Sequence, residues 1–187
     1  MESHRPLYPR ASEDPAPGKL PRSTSPVIIV DTNILMAIPQ IDRFDWGVKA
    51  VHIYVLYSVM DELCGLARDR LDLGKAQDAQ VAYEYLDALL KRTGPKGVPI
   101  RGDGSRLFFV APPAEALEPL DTANVDHQQI ALAQSILDAD PQRFCAVVTR
   151  DRAMAELANL ASTDVQVIVP GNFALEESLR LQFTRRQ

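Results

Sequence analysis

Apolar positions along this chain fall into short unbroken runs and longer helical stripes, and the two kinds alternate. Val27-Ile28-Ile29-Val30 is an uninterrupted β-branched run, the pattern of a strand covered on both faces. Ile34 to Ile38 predicts a short helix that Pro39 stops, and His52 to Leu56 predicts a second strand. Ser58 is then placed to cap a helix, with Asp61 completing a capping box, and that helix carries Glu62 and runs towards Asp69. Gly74 predicts a break. Beyond it, Val81, Tyr85, Leu86, Leu89 and Leu90 sit at helical spacing in a long amphipathic helix over 75–91.

The Gly/Pro-rich, basic stretch from Gly94 to Arg106 predicts a loop, Leu107 to Val110 an extended segment, and Ala111 to Pro119 a second irregular stretch. Ile130, Leu132, Ala133, Ile136 and Leu137 form the apolar stripe of a helix over 126–137. Phe144 to Val148 predicts a buried strand, Arg152 to Leu160 a helix, Val165 to Val169 a last strand, and Phe173 to Gln182 a closing helix. Strands that alternate with helices in this way predict an α/β fold with a parallel sheet and helices on both faces.

Composition bounds the picture. The chain has 187 residues, 46% hydrophobic and 24% charged, which suits a single globular domain with a sizeable core. Residues 1–25 are rich in Pro, Ser and Arg and poor in apolar side chains, so they read as a disordered tail, with 26–187 as the domain. The net charge of −5 argues against a large surface that coats nucleic acid passively. Cys64 and Cys145 lie in apolar contexts without neighbours at metal-ligand spacing, which predicts two buried thiols in a reducing compartment. No apolar run reaches the ~20 residues of a membrane span and the start of the chain carries no secretory pattern. The expected location is therefore cytoplasmic or nuclear, with no membrane partner.

Four acids occupy equivalent places in this pattern. Asp31 and Asp151 lie just past apolar strands, Glu62 follows the strand ending near Leu56, and Asp126 precedes the stripe at Ile130. In an open parallel sheet, sites form outside the carboxyl ends of the strands, so all four can converge in one shallow cleft. Carboxylates brought together repel, and either one takes a proton or cations fill the site. Oxygen ligands without a His or Cys partner suit Mg²⁺ or Mn²⁺, which can activate a water and stabilise both oxygens at a phosphodiester. Each acid also has a plainer role open to it, as a turn, a helix cap or a favourable charge in a first helical turn.

These residues resemble a known family. Val27-Ile28-Ile29-Val30-Asp31-Thr32-Asn33 is similar to the opening strand and Asp-Thr-Asn signature of PIN domains. Ser58-Val59-Met60-Asp61-Glu62-Leu63 resembles their second acidic motif, and Asp126-His127-Gln128-Gln129-Ile130-Ala131-Leu132-Ala133 their third. Val147-Val148-Thr149-Arg150-Asp151-Arg152 resembles the last, a Thr or Ser two residues before an aspartate. The resemblance covers about residues 26–170. It implies a three-layer α/β/α sandwich and Mg²⁺- or Mn²⁺-dependent cleavage of single-stranded RNA. Asp31, Glu62, Asp126 and Asp151 would be the metal-binding, catalytic acids, with Asn33 and Thr149 as polar supports. The family often sets its third acid three residues before the stripe. Here the gap is four, a turn of ~100°, so Asp121 stands as the substitute. The long helix at 75–91 and the basic loop resemble the larger PIN domains of RNA processing and decay.

Among the cations, Arg150 and Arg152 flank Asp151 and could meet a phosphate or pair with the acids. Lys96, Arg101 and Arg106 could guide RNA along the basic loop or be simply solvated. His127 could serve in proton transfer, and Phe44, Trp46 and Tyr54 are expected to pack rather than stack on bases. The partners expected are single-stranded RNA and, beyond it, a protein partner or a second copy. The competing reading is a catalytically weak scaffold module that keeps the acids as caps. A haloacid-dehalogenase-like phosphatase would need an acid where Asn33 stands.

Overall fold

A computed structural model of the protein describes residues 25–46, 49–94, 96–114, 118–161 and 163–170. The tail, apart from Ser25, and the predicted closing helix at 173–182 lie outside the described residues.

Six strands form one sheet in the order β3-β4-β2-β1-β5-β6. They are β1 (Val27–Val30), β2 (His52–Leu56), β3 (Val98–Pro99), β4 (Arg106–Val110), β5 (Cys145–Val148) and β6 (Gln166–Ile168). All neighbouring pairs are parallel except β3 with β4. The central strands β1, β2 and β5 are buried at every position, which explains why they read as continuous apolar runs rather than alternating ones.

Five helices connect the strands among the described residues: α1 (Thr32–Ala37), α2 (Tyr57–Leu66), α3 (Leu73–Leu90), α4 (Val125–Ala139) and α5 (Arg152–Leu160). From β1 the chain steps outward through β2 to β4, then returns past β1 to β5 and β6. Right-handed crossovers in opposite directions place α1 to α3 on one face and α4 and α5 on the other. The helix contacts agree, with α1, α2 and α3 packed together and α4 against α5. The expected three-layer α/β/α sandwich is the observed one. Its topological switch point lies between β1 and β5, where open sheets leave a crevice beyond the strand ends.

Three local expectations differ from the fold. α2 begins at Tyr57 directly from β2, with Leu56 at the cap position and no side-chain cap. Ser58 is therefore inside the first turn, its Oγ buried without a partner, and no capping box forms. α3 begins before Gly74 because the Asp72 carboxylate accepts from the Lys75 N–H at 2.9 Å and caps the helix. Within the expected loop, Val98 and Pro99 add a short antiparallel edge strand to β4. Phe44, Trp46 and Tyr54 pack as expected, all three in the core, with Phe44 edge-on to Trp46 at 4.8 Å. Cys145 is buried, whereas Cys64 is only partly covered.

Candidate active site

Asp31 leaves β1 in extended conformation and becomes the N-cap of α1. Its own N–H still donates to the Val148 carbonyl at 3.1 Å, so the β1–β5 pairing fixes its place. Its carboxylate is 4% exposed and accepts four hydrogen bonds. Oδ1 takes the Thr32 N–H at 2.6 Å and the Gln129 amide at 3.2 Å. Oδ2 takes the Asn33 amide at 2.5 Å and the Thr149 hydroxyl at 2.6 Å. Four donors match the roughly four lone-pair sites of a carboxylate, which holds it rigid.

Asn33 and Thr149, expected as polar supports, form one hydrogen-bond network with Asp31. The Thr149 hydroxyl, fully buried, donates to Asp31 and accepts from the Asn33 amide at 3.1 Å and from the Asp151 N–H at 2.9 Å. The Asn33 carbonyl oxygen accepts from the Arg150 N–H at 2.8 Å, which fixes the orientation of the amide. The turns after β1 and β5 are thereby locked to each other. Two further members went unread in the sequence. The Thr32 hydroxyl donates to Glu62 Oε2 at 2.5 Å and ties α2 to α1. Gln129, fully buried on α4, reaches Asp31 from the opposite layer.

Asp151 is exposed and caps α5, accepting from the Ala153 N–H at 2.8 Å. Asp126 lies in the first turn of α4, where Asn124 takes the cap by accepting from the Asp126 N–H at 2.9 Å. Burial, then the negative charges of Asp31, Glu62 and Asp151, push the Asp126 carboxyl up to about 6, against a smaller opposing pull from His127. Asp126 thus feels the charge of the other three acids. Asp121 instead turns the chain ahead of α4, accepting from the Ala123 N–H at 2.8 Å.

The basic residues divide into two groups. Arg150 and Arg152 are exposed on either side of Asp151, just past the carboxyl end of β5. Arg101 and Arg106 are not brought to the acids. Pro99 pairs with Arg106 at the start of β4, so the turn between them lies at the amino ends of the parallel strands. At ~3.3 Å per residue, a five-residue strand puts that edge about 15 Å from the carboxyl ends. Arg106 donates to the Lys96 carbonyl at 2.8 Å, and Arg101 lies 3.6 Å from Asp45 and 3.7 Å from Asp103. The contacts with Lys96 and Asp103 lie within the loop, that with Asp45 ties it to the segment before β2, and Lys96 precedes β3.

The PIN-domain family model matches residues 28–167, well over half of the chain. The chain belongs to the PIN-domain family. PIN domains are generally nucleases that use divalent metal ions, so the fold is of a nuclease type. No curated protein matches the chain. Among solved structures, a domain of a functionally unknown protein from Methanocaldococcus jannaschii DSM 2661 is similar, with 14% identity and a TM-score of 0.48, over 79% of this chain and 92% of that one.

The four candidate acids, oxygen donors with no thiol among them, are of the chemical type that suits a hard divalent cation. Among the described residues, no three acids or histidines stand close enough to ligate one ion directly. A cation at the Asp31 carboxylate would have to displace or share one of its four donors. Among the described residues, no helix is long and apolar enough to cross a membrane.

Proposed function

We propose that this PIN domain is a metal-dependent endoribonuclease that hydrolyses phosphodiester bonds of single-stranded RNA. The observation that supports the reading is the PIN-domain match over residues 28–167 together with the positions of the acids, Asp31 and Asp151 just past β1 and β5 at the switch point of the sheet and Glu62 and Asp126 on helices of the two layers. Those four would hold Mg²⁺ or Mn²⁺, and the bound ion would supply an activated water and stabilise the charge that develops at the phosphate. Asp31 contributes a carboxylate held in place by Thr32, Asn33, Gln129 and Thr149. Thr32 holds Glu62 in reach of it. Arg150 and Arg152, exposed beside Asp151, would offer the positive charge that an RNA backbone needs to approach acidic residues.

The direct test is incubation of the full chain with single-stranded RNA and Mn²⁺. Internal cleavage that Asp31→Asn abolishes supports the reading, and cleavage that survives the substitution sinks it.

One observation favours a second reading, a scaffold with little catalysis. Asp31 has its acceptors filled, Asp151 serves as a cap, and no three acids are within ligating distance of one another among the described residues. Mn²⁺ titration followed by melting separates the two. A functional site raises the melting temperature by mass action, and a scaffold does not respond.

A further inference from the structure

The four donors on the Asp31 carboxylate are not equally committed. The Thr32 N–H belongs to the backbone at the start of α1. The Asn33 amide is held at both ends, with Nδ2 also donating to the Thr149 hydroxyl at 3.1 Å and Oδ1 accepting from the Arg150 N–H at 2.8 Å. The Thr149 hydroxyl in turn accepts from the Asp151 N–H at 2.9 Å. Moving any of these three breaks a second bond or the start of a helix. Gln129 differs from them. Its Nε2 makes the longest of the four bonds, 3.2 Å against 2.6, 2.5 and 2.6 Å. Gln129 is fully buried, and its Oε1 has no hydrogen-bond partner among the described residues.

A buried carbonyl oxygen without a donor is uncommon, and an ion or a water is among the partners that account for one. A half-turn about the last side-chain bond of a glutamine exchanges Nε2 and Oε1 in nearly the same volume. At Gln129 that turn gives up a single contact, the long one to Asp31. We propose that Gln129 is a positioning residue for the cation, an inference that rests on the metal-dependent ribonuclease reading. Its Nε2 is the donor that a divalent ion at Asp31 displaces, and its amide then reverses so that Oε1 accepts from a water bound to that ion.

Beside a bare carboxylate, Nε2 must face Asp31. Beside a carboxylate that carries a divalent cation, the local charge is positive and the carbonyl end is favoured. Mg²⁺ keeps several waters when it binds carboxylates, so acceptors placed around its ligands hold those waters in order. Gln129 reaches Asp31 from α4, the helix that also carries Asp126, so the exchange couples that helix to the ion. It needs no proton transfer.

The test follows the side-chain amide signals of the isotope-labelled full chain by NMR as MgCl₂ is added. The Gln129 pair is the one missing from both Gln129→Leu and Gln129→Glu. It is expected to shift until Mg²⁺ saturates, and by more than the Asn33 pair, which keeps its bond to Asp31. Calorimetric titration with Mn²⁺ alone should show Gln129→Leu binding about tenfold more weakly, or about 1.4 kcal/mol. A purely structural donor gives the opposite result, because its removal frees an oxygen of Asp31 and leaves the Mn²⁺ affinity unchanged or higher. A Gln129 pair unmoved at saturating Mg²⁺, a larger shift at Asn33, or a Leu variant that binds Mn²⁺ as tightly as the wild type overturns the inference. If Gln129→Leu does not fold, the wild-type spectra, assigned through Gln129→Glu, decide it. No binding of either ion removes the metal reading and this inference together. A Gln129 exchange in a chain that cuts no RNA keeps the inference and overturns the ribonuclease reading.

Discussion

Replacing Asp126 with Asn should make the metal-free protein more stable at neutral pH while removing part of its response to metal. The Asp126 carboxyl is held at about 6, against an ordinary value near ~3.9. Its folded-state proton affinity exceeds that of the unfolded chain, so its favourable contribution is complete below about pH 4 and is lost as pH rises through about 6. Above that window the ionised carboxylate opposes folding. At 1.36 kcal/mol per pKa unit the ceiling is about 3 kcal/mol, and solvent screening of a half-buried group lowers it to about 1–2 kcal/mol. The amide has the same shape and no charge to repel Asp31, Glu62 and Asp151. Urea unfolding in EDTA, followed by far-UV circular dichroism, should show Asp126→Asn stabilised by that amount at about pH 7.5 and by little at about pH 4. Saturating Mn²⁺ should reverse the order, because a ligand at a hundred times its Kd stabilises the wild type by about 2.7 kcal/mol and the variant by less. A variant that is less stable in EDTA at neutral pH, or shifted equally at both pH values, would refute the placement of Asp126 among the other acids.

Thr149→Val keeps the volume of the side chain but removes the donor to Asp31 and the acceptor for Asn33 and Asp151. A loss of about 1–3 kcal/mol by urea unfolding is expected, with Thr149→Ser restoring most of it. Gly97 has φ +70°, and a Cβ there would lie 2.7 Å from the Leu107 carbonyl oxygen, so Gly97→Ala should be destabilising by more than about 1 kcal/mol. Gly65, inside α2 with nothing within 4 Å of its Cβ position, should gain about 0.5–1 kcal/mol on the same change; the two melting temperatures should move in opposite directions. Burial pushes the Cys145 thiol up to about 12. A disulfide reagent at neutral pH should therefore label Cys64 in the native protein and Cys145 only after unfolding, and rapid labelling of both would contradict the packing of β5.

What the chain discloses in advance depends on how far its interactions reach along the sequence. The central strands are legible because burial on both faces demands the unbroken runs Val27–Val30 and Cys145–Val148. The acids are legible because each follows a strand or opens a helix. Ser58 misleads because β2 passes into α2 without a loop, and the helix starts before the residue with capping chemistry arrives. The basic loop misleads in another way: Arg101 and Arg106 cluster in sequence, but the β3–β4 turn carries them to the far end of the sheet. Gln129 is the deepest omission, since its partner Asp31 is 98 positions away and a glutamine inside a helix reads as surface polarity. Its burial follows from laying α4 across the end of β1. Once there, its amide has one workable orientation, because turning Oε1 towards Asp31 would set a carbonyl against a carboxylate. The Nε2 donates instead and Oε1 is left without a donor, at a cost of about 1–3 kcal/mol. The orphaned Oε1 is therefore the local cost of giving the buried Asp31 carboxylate its fourth donor, a cost set by the Asp31 network rather than by the helix that carries Gln129.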